Sequence, residues 1–229
     1  MAYYDNVNQT LVDTVEPSAK RICEFGCGAG ALARAIRARL PNIHYVGVEL
    51  QADQLQYARD VLDVGLHRNL DLLAKWTEDD EFQTALPMNS FDHVIFGDVL
   101  EHLYDPQSAI DQAAMRLVPG GSALVCIPNV QHWSVFVQLV LGSWPQSDSG
   151  LFDRTHIRWF ALRDMVQLLE RAGLTVERVL SRVFSPEQGL PYLEDLEPLA
   201  RSLGVDPDVL IQQGLPLQYV LVGRKARQE

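Results

Sequence analysis

The fold is decided by the stretch Glu24-Phe25-Gly26-Cys27-Gly28-Ala29-Gly30-Ala31, in which three glycines alternate with other residues. A short apolar run at residues 21–25 leads into it, and a helical pattern at residues 31–40 follows, ended by Pro41. Glycines permit a tight turn with positive φ and let a ligand approach the backbone closely. The stretch therefore predicts a strand, a ligand-binding glycine loop and a helix.

Strand patterns and helical patterns alternate along the rest of the chain. Apolar runs predict strands at residues 21–25, 43–48, 69–73, 91–96, 122–127, 175–183 and 218–223. Helical periodicity predicts helices at residues 31–40, 51–63, 106–117 and 161–172. This alternation predicts a doubly wound, mostly parallel α/β sheet, with ligands outside the carboxyl ends of the strands. We expect one domain over residues 1–229, with a core at about residues 20–180 and a helical insert at residues 186–214.

Composition and charge limit the partners. The chain has 229 residues, of which 47% are hydrophobic, as in an ordinary globular protein. Its net charge is −11, and the segment from Asp71 to Asp105 holds nine acidic residues against one basic residue, Lys75. An acidic surface repels a phosphate backbone, so we expect no DNA partner, and RNA is disfavoured.

The terminus and the cysteines predict a soluble, cytoplasmic protein. Residues 1–10 contain neither the basic nor the apolar part of a signal peptide. The longest nearly apolar run, residues 133–141, is about half as long as a membrane span. Cys23, Cys27 and Cys126 form no CxxC pair and are odd in number, so we expect neither a disulfide nor a zinc site.

The glycine loop alone leaves the cofactor open. Gly26, Gly28 and Ala31 fit the dinucleotide pattern G-x-G-x-x-G/A, and Glu49 lies where a ribose-binding acid is expected. However, Glu24 precedes Gly26 by two residues, and Gly30 adds a third alternate glycine. A carboxylate at position 24 suits a positively charged ligand group and is poorly placed beside a pyrophosphate.

Four segments in order resemble motifs of the class I S-adenosylmethionine (SAM) dependent methyltransferases. They are E-x-G-x-G-x-G at residues 24–30, YVGVEL at 45–50, FDHVIFGDVLEHL at 91–103 and RLVPGG at 116–121. The resemblance covers about residues 20–180 and implies a seven-stranded sheet whose last strand is antiparallel. It also implies SAM as cofactor, held by Glu24, Gly26, Cys27, Gly28, Gly30, Glu49, Leu50, Gly97 and Asp98. For the adenine ring it implies Glu78, with Asp79 or a solvated acidic loop as alternatives.

Candidate groups for the methyl acceptor lie in two segments. A hydroxyl acceptor needs its proton removed by a base or acidified by a metal. We predict His156 as general base or acceptor-positioning group, because Thr155-His156 is similar to a pair in ubiquinone-biosynthesis O-methyltransferases. Asp98 and His102, after the fourth strand, are further catalytic candidates. The alternative for His156 is packing at the entrance to the following helix.

A divalent metal is an alternative to a general base. Asp98-x-x-Glu101-His102 resembles the E-x-x-E-H pattern of ubiquinone O-methyltransferases and small-RNA 2′-O-methyltransferases, and in the RNA enzymes it binds a metal with a later histidine. Aspartate replaces the first glutamate here, which shortens the reach by one methylene. We therefore predict no metal site.

These patterns together predict SAM-dependent O-methylation of a small-molecule acceptor, either a sugar or a phenol or quinone-like ring. The alternatives are a metal-assisted RNA 2′-O-methyltransferase, a non-catalytic SAM-binding module and a Rossmann dehydrogenase. Arg154 and Arg158 are candidates for holding an anionic acceptor. The apolar residues 130–144 predict either a lid over the acceptor pocket or a homodimer contact.

Overall fold

The computed structural model describes residues 7–72 and 78–227, and its centre is one seven-stranded sheet. The strands are β1 (Arg21–Phe25), β2 (His44–Glu49), β3 (Val64–His67), β4 (Phe91–Gly97), β5 (Leu117–Pro128), β6 (Leu174–Val183) and β7 (Pro216–Lys225). Their order is β3-β2-β1-β4-β5-β7-β6. Neighbours among β1–β5 pair in parallel, whereas β7 runs antiparallel to both β5 and β6. The prediction of a doubly wound sheet with an antiparallel last strand is confirmed.

Ten helices surround the sheet in the described part of the chain. They are α1 (Gln9–Thr14), α2 (Ala31–Arg39), α3 (Ala52–Ala58), α4 (Asp80–Ala85), α5 (Pro106–Arg116), α6 (Trp133–Val140), α7 (Leu162–Arg171), α8 (Pro186–Asp195), α9 (Glu197–Ser202) and α10 (Pro207–Gly214). Helices α8–α10 form the predicted insert between β6 and β7. No helix of the described residues is long and apolar enough to cross a membrane.

Two apolar clusters pack against the sheet because successive strand residues point to opposite faces. On β4, Val94 and Phe96 belong to the larger cluster, and Ile95 between them belongs to the smaller one. All three are fully buried. The continuously apolar pattern of this strand therefore reflects burial on both faces. The three cysteines form no disulfide, as the sequence predicts, and all three are buried.

The prediction for the third strand is wrong. Residues 64–67 form β3, whereas residues 70–72 form a helical turn and Leu73 lies outside the described residues. Gly65 lies within β3, because α3 ends at Ala58 and not at residue 63, the predicted end of this helix. A Cβ at Gly65 would lie 3.0 Å from Leu55 Cδ1, so this glycine lets the strand pack closely on α3.

The sheet places two groups of loops at one edge. The chain leaves β1, β2, β4 and β5 at their carboxyl ends, which lie at the same edge because these strands are parallel. Gln218 near the start of β7 pairs with Pro128 of β5 and with Arg182 of β6. The end of β6 and the start of β7 therefore belong to this same edge, where ligands of such sheets bind.

Candidate active site

The glycine loop after β1 is tightly packed on both sides. Gly26, Gly28 and Gly30 have φ of 74°, 50° and 81°, which side chains rarely adopt. A Cβ at Gly26 would lie 2.4 Å from Val99 Cγ2, and one at Gly30 would lie 2.7 Å from Val61 Cγ2. Both backbone conformation and space therefore require glycine at these two positions.

Glu49 at the end of β2 faces this loop. Its Oε2 accepts a hydrogen bond from the Gly28 backbone N–H at 2.8 Å, and its Oε1 accepts one from Gln51 at 2.9 Å. The Gly26 N–H donates to the Val48 carbonyl at 2.7 Å. The loop and the end of β2 thus form one unit, with a buried carboxylate beside the backbone and an exposed Leu50 next to it.

Glu24 lies at the end of β1, beneath the loop. It is buried and accepts a hydrogen bond from the Tyr45 hydroxyl at 2.8 Å. The pKa of Glu24 is raised from 4.5 to about 8, mainly by burial. The hydrogen bond from Tyr45 lowers this pKa, and the nearby Glu49 charge raises it. This carboxyl group is therefore mostly protonated at pH 7 and is poised to ionise beside a positive charge.

The two acids that are candidates for the adenine contact, Glu78 and Asp79, differ in their surroundings. Glu78 is exposed. Asp79 caps α4 by accepting from the Phe82 N–H at 3.0 Å, and its Oδ2 lies 2.6 Å from Arg68 Nε. Because Arg68 directly follows β3, this ion pair draws Asp79 toward the strand end.

The turn after β4 is fixed by Asp98. This residue has φ of 56°, and its N–H donates to the Cys126 carbonyl at 3.2 Å. Its Oδ1 accepts from Gln218 Nε2 at 2.6 Å. Burial raises the pKa of Asp98, while the hydrogen bond from the Cys126 thiol lowers it. Asp98 therefore connects β4 with β5 and β7.

A cluster of Glu101, His102 and His156 lies next to this turn. One oxygen or nitrogen of each side chain lies within 4.8 Å of those of the other two. His156 Nε2 is 3.9 Å from Glu101 Oε1, and the two imidazole rings meet edge to face at 4.8 Å. The Glu101 carbonyl accepts from the N–H groups of Ile157 and Arg158 at 3.0 and 3.1 Å. These backbone bonds hold the His156 segment against the residues after β4.

The hydrogen bonds of the cluster indicate which atoms are free to react. His156 Nδ1 lies 3.2 Å from the Leu151 carbonyl, which can only accept, so Nδ1 carries the proton and Nε2 keeps its lone pair. Burial, then the neighbouring His102, lowers the pKa of His156, which keeps the ring neutral. Burial, then Asp98, raises the pKa of Glu101. Among the described residues, neither buried carboxylate oxygen of Glu101 has a hydrogen-bond partner.

Another buried histidine, and the two arginines proposed from the sequence, have structural partners. His132 caps α6, and burial lowers its pKa to about 4. Arg154 pairs with Asp148 at 2.6 Å, and Arg158 donates to the Tyr104 carbonyl at 2.7 Å. Sequence reasoning missed Gln218, which shows no local motif and meets Asp98 only through the sheet.

Comparisons with known proteins identify the family of this chain. Residues 2–179 match the family described as "Methyltransferase domain". The chain belongs to this family. It is an enzyme of the SAM-dependent methyltransferase class, with SAM as its cofactor.

Similar proteins include ubiquinone biosynthesis O-methyltransferases. That of Idiomarina loihiensis is 28% identical over 181 residues, 76% of this chain and 70% of the relative. That of Aromatoleum aromaticum is 26% identical over 188 residues, 79% and 76% of the two chains. A solved SAM-dependent methyltransferase from Mesorhizobium loti superimposes with a TM-score of 0.60 at 18% identity, covering 95% of this chain and 96% of its own. This last likeness supports the fold.

Replacing Glu24 by glutamine tests the buried acid. The folded pKa of about 8 lies above the ordinary 4.5, so the native parent keeps a proton that the unfolded chain releases between these values. The parent therefore loses stability as pH rises from 5 to 8, by about 2–4 kcal/mol, and the Glu24→Gln variant does not. Urea unfolding at both pH values measures the difference. Parallel pH dependence in the two proteins would contradict the raised pKa.

Proposed function

We propose that this methyltransferase transfers the methyl group of SAM to a hydroxyl oxygen of a small-molecule acceptor. The acceptor is a sugar or a phenol or quinone-like ring. The carrying observation is the Glu101, His102 and His156 cluster, which offers an unprotonated imidazole nitrogen beside a buried carboxyl group. The names of the similar ubiquinone biosynthesis O-methyltransferases support oxygen as the atom that receives the methyl group.

The cofactor lies, in this proposal, over the β1 and β2 half of the edge. Glu49 binds the ribose hydroxyls, because its carboxylate is held beside the glycine backbone. Glu24 receives the positively charged amino acid end, which favours ionisation of a buried carboxyl group. Glu78 contacts the adenine ring, with Asp79 as the second candidate. The remaining contacts come from the loops after the strands, at Gly26, Cys27, Gly28, Gly30, Leu50, Gly97 and Asp98.

The acceptor then occupies the other half of the edge, over β4, β5 and the start of β7. Helix α6 and the insert border this half. They are joined by Trp133 and Tyr192, whose rings stack at 5.4 Å with an interplanar angle of 4°. A Cβ at Gly189 would lie 2.3 Å from Trp133 Cδ1, so α8 packs directly on this indole. These two elements are the lid of the acceptor pocket.

When bound, SAM supplies an electrophilic methyl group, so the protein mainly has to align the acceptor oxygen and remove its proton. His156 takes this proton at Nε2. The Leu151 carbonyl fixes the tautomer, and Glu101 stabilises the positive ring that results. His102 positions the ring of His156 through the edge-to-face contact between the two imidazoles. Its own Nδ1 lies 3.1 Å from the Thr155 carbonyl.

The same cluster fits a divalent metal only in part. Two imidazoles and one carboxylate are suitable ligands, and the two unpaired oxygens of Glu101 are unused donors. However, the ligand atoms are spread over up to 4.8 Å. Two ligands with bonds of about 2.1 Å to one metal are at most about 4.2 Å apart. The general-base mechanism does not require the three side chains to move closer together, and it is the one we propose.

Glu49→Ala tests the ribose contact. Loss of a charged acceptor of two hydroxyl hydrogen bonds weakens SAM binding by about 1.5–3 kcal/mol. Isothermal titration measures this change. Asp53→Ala, which removes an acid from the nearby helix α3, is the matched control and keeps the parent affinity. SAM affinity unchanged in Glu49→Ala would disprove the ribose assignment.

His156→Ala tests the proposed base. Removing a general base typically lowers the rate by about 10²–10⁴, while SAM binding is retained. The assay follows methyl transfer from labelled SAM to a library of sugar and phenolic hydroxyl compounds. Glu101→Gln provides a second variant that keeps the side-chain shape and should also lower turnover.

His93→Ala is the control, because it removes another buried histidine, which lies on β4 and bonds Ser122 and Glu16. It should reduce stability with little change in turnover per folded molecule. Full turnover in folded His156→Ala, with thermal stability reduced as in the control, would show that His156 only packs.

Removal of metal distinguishes the two ways of activating the hydroxyl. We expect full turnover after dialysis against a chelator, because the His156 base acts without a metal. The measurement is the initial rate before and after dialysis and after addition of Mg²⁺ or Mn²⁺. Activity abolished by the chelator and restored by either ion would replace the general base with a metal at the same three residues.

A further inference from the structure

We infer that Arg182 forms a subsite for an anionic group of the acceptor, a carboxylate attached to an aromatic ring. This inference rests on the proposed function, since it concerns the acceptor of the same site. Arg182 lies in no motif of the sequence, and its guanidinium group would select acceptors that carry a carboxylate.

The sheet order puts Arg182 on the acceptor side. Arg182 is at the end of β6 and pairs with Gln218, which in turn pairs with Pro128 at the end of β5. The glycine loop and Glu49 occupy the opposite half, at β1 and β2. A cofactor on that half leaves the ends of β4, β5 and β6 and the start of β7 to the acceptor.

Hydrogen bonds connect Arg182 with the residues next to the catalytic cluster. Arg182 Nη1 donates to Gln218 Oε1, and Gln218 Nε2 donates to Asp98 Oδ1 at 2.6 Å. Gln218 therefore bridges the guanidinium group and the carboxylate. Burial raises the pKa of Asp98, and the positive charge of the nearby Arg182 opposes this rise.

The charge of Arg182 is not neutralised by a contacting acid. Among the described residues, no carboxylate lies within the 4.0 Å limit of an ion pair with Arg182. By contrast, Arg154 and Arg224 each contact an acidic side chain. In a protein of net charge −11, a half-buried arginine without such a partner is a specific place for an anion.

The neighbouring aromatic residue indicates the rest of the ligand. The guanidinium carbon of Arg182 lies 5.3 Å from the ring centre of Phe184, which is 51% exposed. Guanidinium groups bind carboxylates through two parallel hydrogen bonds, and an exposed aromatic ring offers a face for stacking. Gln218 uses Nη1, and the other guanidinium nitrogens of Arg182 donate to no group of the described residues, which leaves this edge for the carboxylate. A ring that bears both a hydroxyl and a carboxylate suits this arrangement.

Benzoate and benzamide, which differ in charge and not in shape, test this subsite. Each is titrated into the full-length protein saturated with S-adenosylhomocysteine, and binding is followed by NMR or calorimetry. We expect benzoate to bind roughly tenfold more tightly, because a charge-assisted pair exceeds a neutral hydrogen bond by about that factor. Arg182→Gln should remove this preference, and Arg182→Lys should retain part of it.

Arg178→Gln is the matched control, since Arg178 is exposed on the same strand but farther from the acceptor edge. It should keep the full preference. Equal affinity for the two compounds, no detectable binding of benzoate, or a preference that survives in Arg182→Gln would each overturn the inference. S-adenosylhomocysteine binding in every variant shows that the fold is intact. Binding is measured here without turnover. A negative result therefore leaves the O-methylation assay unaffected, and a negative O-methylation assay leaves the binding result unaffected.

Discussion

The lack of side chains at Gly26 and Gly30, in the loop after β1, is the constraint on which the rest of the site depends. The loop passes between the ends of two neighbouring strands, and a single added methyl group collides on either side. Gly26 approaches Val99, which follows β4, and a Cβ on Gly47 of β2 would lie 2.7 Å from Cys27 Sγ. Because all three strands are parallel and hydrogen-bonded, this packing fixes the loop, the Glu49 carboxylate and the turn after β4 in one arrangement.

Buried acids complement this rigid frame. Glu24 and Glu101 are both almost fully buried, and burial is the main reason that the pKa of each is raised. A buried carboxyl group is costly to ionise without a partner. A positively charged ligand offsets that cost, so a cofactor with a cationic amino acid end suits Glu24, and an imidazole that gains a proton suits Glu101. Glu24 lies in β1 and Glu101 lies after β4, and each serves a different half of the edge in the proposed function.

Sequence reasoning located the glycine loop after β1, the acid at the end of β2 and the two-faced β4. Each is a continuous segment whose spacing carries the prediction. The same reasoning failed for β3 and did not find α1 or α4, which have six residues each. Such short helices have little periodicity of their own, and their stability comes from caps and packing. The bond between Asp98 and Gln218 joins residues 120 positions apart, and Arg182 lies beside them only through antiparallel register. The residues near Arg182 in the sequence do not indicate how β6 pairs with β7, so this contact could not be predicted.

The buried histidines show why one residue type has different roles in this fold. His93 uses both ring nitrogens within the protein, since Nδ1 lies 2.9 Å from Ser122 Oγ and Nε2 accepts from the Glu16 N–H at 3.2 Å. His132 uses Nδ1 to cap α6. In His156, the protein satisfies Nδ1 through Leu151 and leaves Nε2 at 3.9 Å from Glu101, too far for a hydrogen bond. A fixed tautomer with a free lone pair is what a general base requires. The local backbone around Leu151, and not burial itself, therefore separates the proposed catalytic histidine from the structural ones.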